Sequence, residues 1–517
     1  MQPSPNINLR PFHKHNTMKE LKQFILAVTI AIAMLQPLAA QKVYQLDLDS
    51  SIAIARQQSN RMQILQQRLL ISEYQLKAAT SNYKTHVSMD MVLPRYTETV
   101  RQWEDSLGIS FYSVRQNQMN AYLRVNQPLP TDGYLFLSSG LQNFIDYNYD
   151  DRLTQLSTSI GFRQPIEAIY GYNNLKLNYK QAKLNYESTQ KQLERAELDL
   201  VYDVSSLYYN LLSYGERLEI ARMGYERQLE AYNIASNKYK AGLIREVEAL
   251  QMEVDLSGAA NVLDIAKVNY SSQMRLFKEL MGLDLGDSIM VESTMEYTDV
   301  LIDTEKAVQL ALENRNELKE YQIRIELSEM EIKRRKAAGR IQGDIFVNYD
   351  LIGTNKSLLS VPVDQSFQDS WYNLQERPGN FNAGLTISIP LIDWGENRAR
   401  VNAARASLEQ NRLELKGEKI SIEREIRNLV EQLQSSLRRL ELLEKNVVVA
   451  EKSFEISRQR YANGEIDSQA IALERERLNN AYISRLESFI TYKLLLSDLM
   501  RKTFYDFEND RPLAGNH

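Results

Sequence analysis

The fold is built around one long stretch, residues 173–240, with the sequence NNLKLNYKQAKLNYESTQKQLERAELDLVYDVSSLYYNLLSYGERLEIARMGYERQLEAYNIASNKYK. It contains 68 residues (240 − 173 + 1) of helix-forming types, and no proline lies between Pro165 and Pro362. Proline is the residue that most strongly interrupts a helix. At about 1.5 Å per residue, the stretch predicts one uninterrupted rod roughly 100 Å long.

This rod carries a single apolar stripe. Its apolar positions recur mostly at steps of four and three, as in the seam of a coiled coil. They are Leu175, Tyr179, Ala182, Tyr186, Thr189, Leu193, Ala196, Leu200, Val204, Leu207 and Leu211. A lone rod of this length cannot bury its own stripe, so other helices must pack against it.

The chain contains the same pattern twice. The matching segments are 51–55 (SIAIA) with 307–311 (AVQLA), 164–166 (QPI) with 389–391 (IPL), and 239–244 (YKAGLI) with 461–466 (YANGEI). Each half therefore predicts the order helix, strands, long helix, break and shorter helix. The second long helix is expected from Glu396 to Ala462. Each rod would be matched by two shorter helices, which in the first half are Leu48 to Tyr83 and Val247 to Met281. Asp49 or Ser50 would cap the first of these.

The duplication sets the expected domains, as one pseudo-symmetric body rather than several independent units. We expect an N-terminal extension and signal peptide at 1–40, a first repeat at 41–290 with an extra hairpin at about 116–150, a second repeat at 291–505, and a C-terminal tail at 506–517.

The first residues resemble a secretory signal. Lys19 and Lys22 precede an apolar run at 24–35, and Ala40 ends a stretch of small residues. We expect the true start at Met18 and cleavage after Ala40. A membrane anchor is the alternative, but the apolar run is short for a segment that spans a bilayer.

Between the helices, the hydrophobic period changes from helical to two, which is typical of strands. Alternating runs begin at His86, Met119 and Leu156, and in the second half at Ile345 and Leu385. We expect four strands in the first half and two in the second. The extra hairpin is centred on the turn PLPTDG at 128–133, although such hairpins could instead project as loops.

Aromatic residues cluster in these strand blocks, among them Trp103, Phe111, Tyr134, Trp371 and Phe381. Strands with one apolar face and aromatic residues near their ends are typical of a transmembrane barrel. A soluble antiparallel sandwich shares the period of two, but the signal peptide and the attached rods favour the barrel. Six strands cannot enclose a pore, so several chains would have to share one barrel.

Composition excludes several other classes of protein. The 517 residues carry a net charge of −5 without a basic block, so no nucleic-acid partner is expected. No cysteine is present, which excludes disulfides, thiolate metal sites and a lipidated N-terminal cysteine. Of the four histidines, only His86 lies within the mature body. We therefore expect no enzyme activity, no catalytic residues, no metal site and no cofactor.

In its duplicated order, strand ends and helix breaks, the chain resembles the TolC-type outer-membrane efflux proteins. The resemblance runs from Leu46 to about Met500 and rests on QPI at 164–166, IPLIDWG at 389–395, and the breaks at 239–250 and 461–473. It implies a homotrimer whose β-barrel crosses the outer membrane and whose α-barrel tunnel extends through the periplasm. It also implies a periplasmic adaptor and an inner-membrane pump as partners, with lipid around the barrel. Such a duct is a passive conduit whose periplasmic end is opened by its partners.

The resemblance also implies which residues carry function. The helix tips that adaptors contact would be Gly242, Leu243, Ile244 and Glu248 in the first repeat, and Gly464, Glu465 and Ile466 in the second. Ala470 and Leu473 stand where some members have acidic rings, so Glu465, Asp467 or Glu474 would supply a tunnel constriction. Helix capping alone would also explain the two glycines and Asp467.

Two other functions remain open from the sequence. One is an outlet for type I secretion of a polypeptide, with the same architecture and a different cargo. The other is a structural coiled-coil envelope protein or adhesin without transport, which leaves the matching interruptions before Pro165 and Pro390 unexplained. The 15 methionines are scattered, which gives no support for a dedicated copper or silver route.

Overall fold

A computed structural model describes residues 43–106, 108–291 and 297–513 of the chain. The start expected at Met18 and the signal peptide expected up to Ala40 lie outside the described residues. The helices are α1 Leu48–Gln58, α2 Asn60–Ser81, α3 Asn174–Lys240, α4 Glu246–Met281, α5 Thr304–Asn314, α6 Asn316–Ala338, α7 Val363–Glu376, α8 Glu396–Asn463 and α9 Ser468–Thr503. The strands are β1 Val43–Leu46, β2 His86–Asp105, β3 Gly108–Pro128, β4 Tyr134–Asp146, β5 Asp151–Pro165, β6 Ser288–Val291, β7 Gln342–Leu358, β8 Asn380–Ser388, β9 Tyr505–Asp506 and β10 Arg511–Pro512.

Both predicted rods are present as single helices. Helix α3 contains 67 residues and α8 contains 68. Asn173 begins α3, and its side chain accepts a hydrogen bond from the backbone N–H of Lys176. Leu200, Val204 and Leu211 of the predicted stripe are almost completely buried. The stripe is therefore the face on which the shorter helices pack.

The single helix expected from Leu48 to Tyr83 is wrong, because the structure contains two helices, α1 and α2, separated at Ser59. Ser59 is extended, and its hydroxyl accepts a hydrogen bond from Met62 N at 3.2 Å. The break accommodates Gly282 at the end of α4, where a Cβ atom would lie 2.3 Å from the Gln58 carbonyl oxygen.

The expected caps Asp49 and Ser50 are also wrong. The residue that caps α1 is Asp47, whose carboxylate accepts a hydrogen bond from Ser50 N at 2.8 Å. Asp49 lies in the first turn of α1, where a negative charge also favours the helix N-terminus. The sequence pattern therefore located this helix start to within a few residues but assigned the wrong side chain.

The six long strands form one antiparallel sheet in the order β2, β3, β4, β5, β7, β8. Four of them precede Pro165 and two precede Pro390, as the sequence predicts. Strands β3 and β4 turn at Leu129 to Gly133, where Leu129 N donates a hydrogen bond to Gly133 O at 2.7 Å. The end strands β2 and β8 differ in length, with 20 and 9 residues.

The two faces of this sheet have opposite character. One row of directly paired residues is apolar from edge to edge and contains Val87, Val125, Leu137, Ile160, Tyr349 and Phe381. The adjacent row on the other face is polar and contains Ser88, Arg124, Ser138, Ser159, Asp350 and Asn380. Because the register keeps this alternation across all six strands, the sheet presents one continuous apolar surface.

Two features of the fold are not predicted by the sequence pattern. Helix α7 lies between β7 and β8, so Trp371, which was expected in a strand block, belongs to a helix. Strands β1 and β6 form a small parallel sheet. Such short elements give too few residues to establish a period.

The buried core lies around the middle of the long helices. One cluster joins α3 to α1, α2 and the end of α4, and includes Leu200, Tyr208 and Phe277. The other joins α8 to α5 and α9, and includes Ile422 and Tyr492. Within the described part of the chain, none of the helices combines the length and the hydropathy of a membrane span.

Candidate functional site

The two helix hairpins, α3 with α4 and α8 with α9, end in turns of the same geometry. The glycine after each long helix adopts a left-handed conformation, with φ of +74° at Gly242 and +81° at Gly464. The hydrogen bonds run from Gly242 N to Tyr239 O, Leu243 N to Lys238 O, Gly464 N to Tyr461 O, and Glu465 N to Arg460 O, at 2.9 to 3.1 Å. This is the Schellman arrangement that satisfies carbonyl groups at a helix end.

Both tip glycines face open space. A Cβ atom at Gly242 or Gly464 would have no heavy atom within 4 Å. Leu243 beside the first glycine is 74% exposed. Ile244 and Ile466 are half-buried at matching positions in the two turns. Each tip is thus a rigid turn with a smooth, accessible end.

The acidic residues expected at the tips form ion pairs with neighbouring residues. Glu248 in the first turn of α4 pairs with Arg245 at 3.0 Å. Glu465 pairs with Arg460 at 3.2 Å, and both side chains are about half exposed. Pairs this exposed contribute little stability and leave carboxylate oxygens available to a partner.

The three candidates for a tunnel constriction have different surroundings. Asp467 caps α9 by accepting a hydrogen bond from Ala470 N at 2.9 Å, so its capping role is present. Glu474 pairs with Arg477 at 2.5 Å and accepts a hydrogen bond from the Ser453 hydroxyl at 2.8 Å. One chain therefore does not gather these carboxylates and Glu465 into a single cluster. A ring of them would require further copies of the chain.

Near the tips, side-chain contacts that the sequence pattern does not predict join the two hairpins. The Lys238 ammonium donates a hydrogen bond to the Tyr461 carbonyl oxygen at 2.9 Å and lies 4.8 Å from the centre of the Tyr461 ring. Arg458 forms an ion pair with Glu230 at 3.4 Å. Burial raises the pKa of the Tyr461 hydroxyl. The only signal in the sequence is that Tyr461 occupies the position equivalent to Tyr239.

Further from the tips, a cleft of about 1510 Å³ separates α4 from α9 above α3. Small residues such as Gly224, Gly258 and Ala259 line it. Arg217 of α3 and Glu487 of α9 pair at 2.6 Å beside this cleft. Burial lowers the pKa of the Arg475 guanidinium, which lines the same cleft. In this region the two hairpins therefore meet through polar contacts and an open cleft, whereas nearer the middle of the rods Tyr209 of α3 packs against Phe489 of α9.

Around the middle of the rods, a chain of ion pairs joins four helices and the segment between α5 and α6. The bonded pairs are Asp199 with Arg501, Arg501 with Asp498, Asp498 with Lys502, Lys502 with Glu425, Glu425 with Arg315, and Arg315 with Glu317, at 2.5 to 2.9 Å. Burial alone would raise the pKa of Glu425, but hydrogen bonds from Lys502 and Arg315 outweigh it and hold that pKa below its usual value. These contacts fix the halves together away from the tips.

Among the described residues, no group of three or more His, Asp and Glu side chains is arranged to hold a metal ion. His86 lies at the start of β2, with its Nδ1 atom 2.8 Å from the Lys84 carbonyl oxygen. The features of the described residues that bear on function are the helix tips, the ion pairs and the sheet with one apolar and one polar face.

Comparison with known proteins identifies the class of protein that has this architecture. Residues 136–276 and 307–481, more than half of the chain, match the family described as outer membrane efflux protein. The chain therefore belongs to the outer membrane efflux protein family. No curated protein matches it significantly.

Solved structures share the fold at low sequence identity. The CmeC outer membrane channel of Campylobacter jejuni is 16% identical, with a TM-score of 0.64 over 88% of this chain and 85% of that one. The outer membrane protein VceC of Vibrio cholerae is 14% identical, with a TM-score of 0.63 over 88% and 95%. The open state of the Neisseria gonorrhoeae MtrE outer membrane channel is 12% identical, with a TM-score of 0.61 over 90% of each chain.

Family and fold together confirm the main conclusions drawn from the sequence. The chain has the mainly helical, TolC-like fold with a strand segment, and it is an outer-membrane protein with a long periplasmic helical extension. Its family is one of outer-membrane efflux channels.

Proposed function

We propose that three copies of this chain form the exit duct of a tripartite efflux system. Small toxic compounds would pass from an inner-membrane pump or the periplasm to the exterior through one shared tunnel. The duct does no covalent chemistry. The observation that supports this proposal most strongly is the two-faced sheet of six strands joined to two helix hairpins about 100 Å long.

The sheet accounts for the shared barrel. An apolar face in contact with lipid requires every strand edge to be paired, because the bilayer core offers no water to unpaired backbone groups. Single-chain barrels of the outer membrane contain eight strands or more, so one sheet of six is too small to cross the membrane alone. Three copies supply about 18 strands, a number at which barrels enclose an aqueous channel. The polar row that contains Arg124 and Asp350 would then face the lumen.

The helix tips account for the adaptor. Gly242 and Gly464 lie at the ends of the rods furthest from the sheet, where a periplasmic partner could reach them. Their left-handed φ angles and the open space beside them make a smooth surface with exposed backbone. We assign adaptor contact to Gly242, Leu243, Ile244 and Glu248 in the first tip, and to Gly464, Glu465 and Ile466 in the second.

Substitution of the tip glycines tests this assignment. Gly242→Trp and Gly464→Trp each cost about 1 to 2 kcal/mol of backbone strain, and the new Cβ atom would have no heavy atom of the chain within 4 Å. Gly395 provides a matched control, because it also has a positive φ, +85°, and open space beside it, and it begins α8 at the opposite end of the rod. Gly395→Trp therefore adds the same strain and bulk about 100 Å away.

The measurement is resistance to an exported toxic compound, together with the amount of trimer in the outer membrane. We expect both tip variants to lose efflux with trimers intact, and Gly395→Trp to retain it. Normal efflux in the tip variants would refute the adaptor contact. Equal loss in all three variants would mean that backbone strain, and not position, is responsible.

A further inference from the structure

Helix α7 packs on the apolar face of the sheet. Ser366 and Ser370 on its inner side are fully buried, and the Ser370 hydroxyl donates a hydrogen bond to the Thr154 carbonyl oxygen at 2.9 Å. A Cβ atom at Gly353 of β7 would lie 2.1 Å from the Ser370 carbonyl oxygen. Gly353 lies on the same face as Leu351, two residues earlier, because alternate residues of a strand share a face. The helix therefore lies on the side of the sheet that faces lipid.

The position of α7 along the strands is outside the exposed apolar run of β8. Within β8 the apolar residues Phe381, Leu385 and Ile387 are at least half exposed, and Ile389 and Leu391, just beyond its last residue Ser388, are exposed as well. From Phe381 to Ile387 the strand rises about 20 Å, or about 15 Å with a strand tilt of about 40°. The exposed apolar run of β8 therefore covers more than half of the lipid-facing band of an outer-membrane barrel, which is about 25 Å high.

The register places α7 beyond the outer end of this band. Strand β8 begins at Asn380, which pairs with Asp350 of β7. Helix α7 contacts β7 further along, at Gly353 and at Asn355, whose amide donates a hydrogen bond to the Asp369 carboxylate at 3.2 Å. The inner end of the band is marked by Trp394, which is 96% exposed. An aromatic residue thus stands at the inner end, and α7 stands at the outer end.

The exposed side chains of α7 suit a membrane interface. Val363, Phe367 and Trp371 recur at steps of four on one flank, and Trp371 and Tyr372 are 48% and 62% exposed. Asp369 on the other flank is held by the sheet. Tryptophan and tyrosine are enriched where acyl chains meet headgroups, and amphipathic helices lie in that zone.

We propose that α7 docks the outer leaflet of the membrane, with Phe367 and Trp371 at the boundary between headgroups and acyl chains. The occupant is lipid and not a second copy of the chain, because the flank continues the apolar surface of the sheet, and this protein resides in the outer membrane. The proposal does not depend on the duct function.

The chain contains only three tryptophans, which makes a direct test practical. Single-tryptophan proteins that retain Trp371, Trp394 or Trp103 are made by changing the other two to phenylalanine. Trp103 serves as the control, since it pairs with Ser110, six residues beyond the last β3 residue that pairs with β4, Gln116 (116 − 110). At about 3.3 Å per residue, Trp103 lies about 20 Å further from the helices than the last pair between β3 and β4.

Each full-length protein is reconstituted in phosphatidylcholine vesicles brominated either near the headgroup or near the end of the acyl chain. Iodide serves as the aqueous quencher. We expect Trp371 to be quenched about twofold or more by the shallow bromine, less by the deep bromine and little by iodide. Trp103 should respond to iodide alone.

Three outcomes would overturn the proposal. Trp371 shielded from bromine and iodide alike would mean that protein, such as a neighbouring copy, covers α7. Trp371 quenched by iodide but not by bromine would place the helix in water. Lipid quenching that persists unchanged in Phe367→Gln, Val363→Gln protein would contradict the role of the apolar flank, whereas a marked fall in quenching would support it.

Discussion

Loss of the Lys238 contact should loosen the periplasmic end of the proposed duct. Lys238→Met removes both the 2.9 Å hydrogen bond to the Tyr461 carbonyl oxygen and the contact with the Tyr461 ring, while it keeps most of the side-chain volume. A cation at a partly exposed aromatic ring contributes about 0.5 to 1 kcal/mol. A hydrogen bond from a charged group contributes about 1.5 kcal/mol or more.

Because the contact is partly exposed to solvent, we take the combined contribution of the hydrogen bond and the ring contact as about 1 to 2 kcal/mol per chain. The proposed trimer contains three such contacts, and we expect opening of its periplasmic end to break them, because each contact joins the two hairpins of one chain. Their joint loss amounts to about 3 to 6 kcal/mol, which shifts the ratio of open to shut forms about 100-fold or more. The Glu230 to Arg458 pair, at 3.4 Å and half exposed, adds less.

The assay is single-channel conductance of the purified protein in a planar bilayer without adaptor or pump. Lys238→Met should open more often and for longer than the unmodified protein. Lys240→Met is the matched control, because it removes the same charge from an exposed residue in the same helical turn. Conductance that is the same in both variants, with trimers intact, would refute the view that the Lys238 contact closes the tip.

Two further predictions concern stability. Gly282 and Gly242 share a φ of +74°, but a Cβ atom at Gly282 would lie 2.3 Å from the Gln58 carbonyl oxygen. Gly282→Ala should therefore lower the apparent Tm by several degrees more than Gly242→Ala in a thermal melt, and equal losses would contradict this steric reasoning. The pKa of Glu425 is held low, so its stabilisation exists at pH values above the ordinary carboxyl pKa and is lost as pH falls through the depressed value. Glu425→Gln should lower the Tm at neutral pH, and its Tm should then fall less between about pH 5 and pH 3 than the Tm of the unmodified protein. An equal fall in Tm for both proteins over this pH range would refute the link to the Glu425 pKa.

Periodicity was enough to predict the large elements. Both long helices, the strand count in each half and the turn at 128–133 follow from patterns that extend over many residues. The duplication supports the predicted order of helices and strands, because the pattern of each half predicts that of the other. The matching turns at Gly242 and Gly464 share even their hydrogen bonds, as expected from an ancestral repeat.

The misses have a common physical cause. The break at Ser59 depends on the approach of Gly282, which lies far away in sequence. Helix α7 has only 14 residues, and its inner face contains serines, so its pattern of burial is not hydrophobic. The contacts of Lys238 and Glu230 with α8 depend on how two helices align. None of these features produces a hydrophobic period in the neighbouring sequence.

The positions of the helix tips were easier to predict than the residues with which the tip side chains form contacts. The sequence located both tips, but the partners of Glu465 and Glu474 became visible only in the folded chain. Asp467 was expected either as a cap or as a constriction, and the structure shows the capping bond. Its contribution to a constriction stays a proposal that depends on the assembly.

The central claim is that copies of this chain share one barrel. Its most direct test is the mass of the detergent-extracted particle from the outer-membrane fraction, with bound detergent subtracted. The account predicts three chains per particle, because each sheet supplies six strands and both end strands need partners. A particle of one chain, or recovery of the protein only from the soluble fraction, would contradict it.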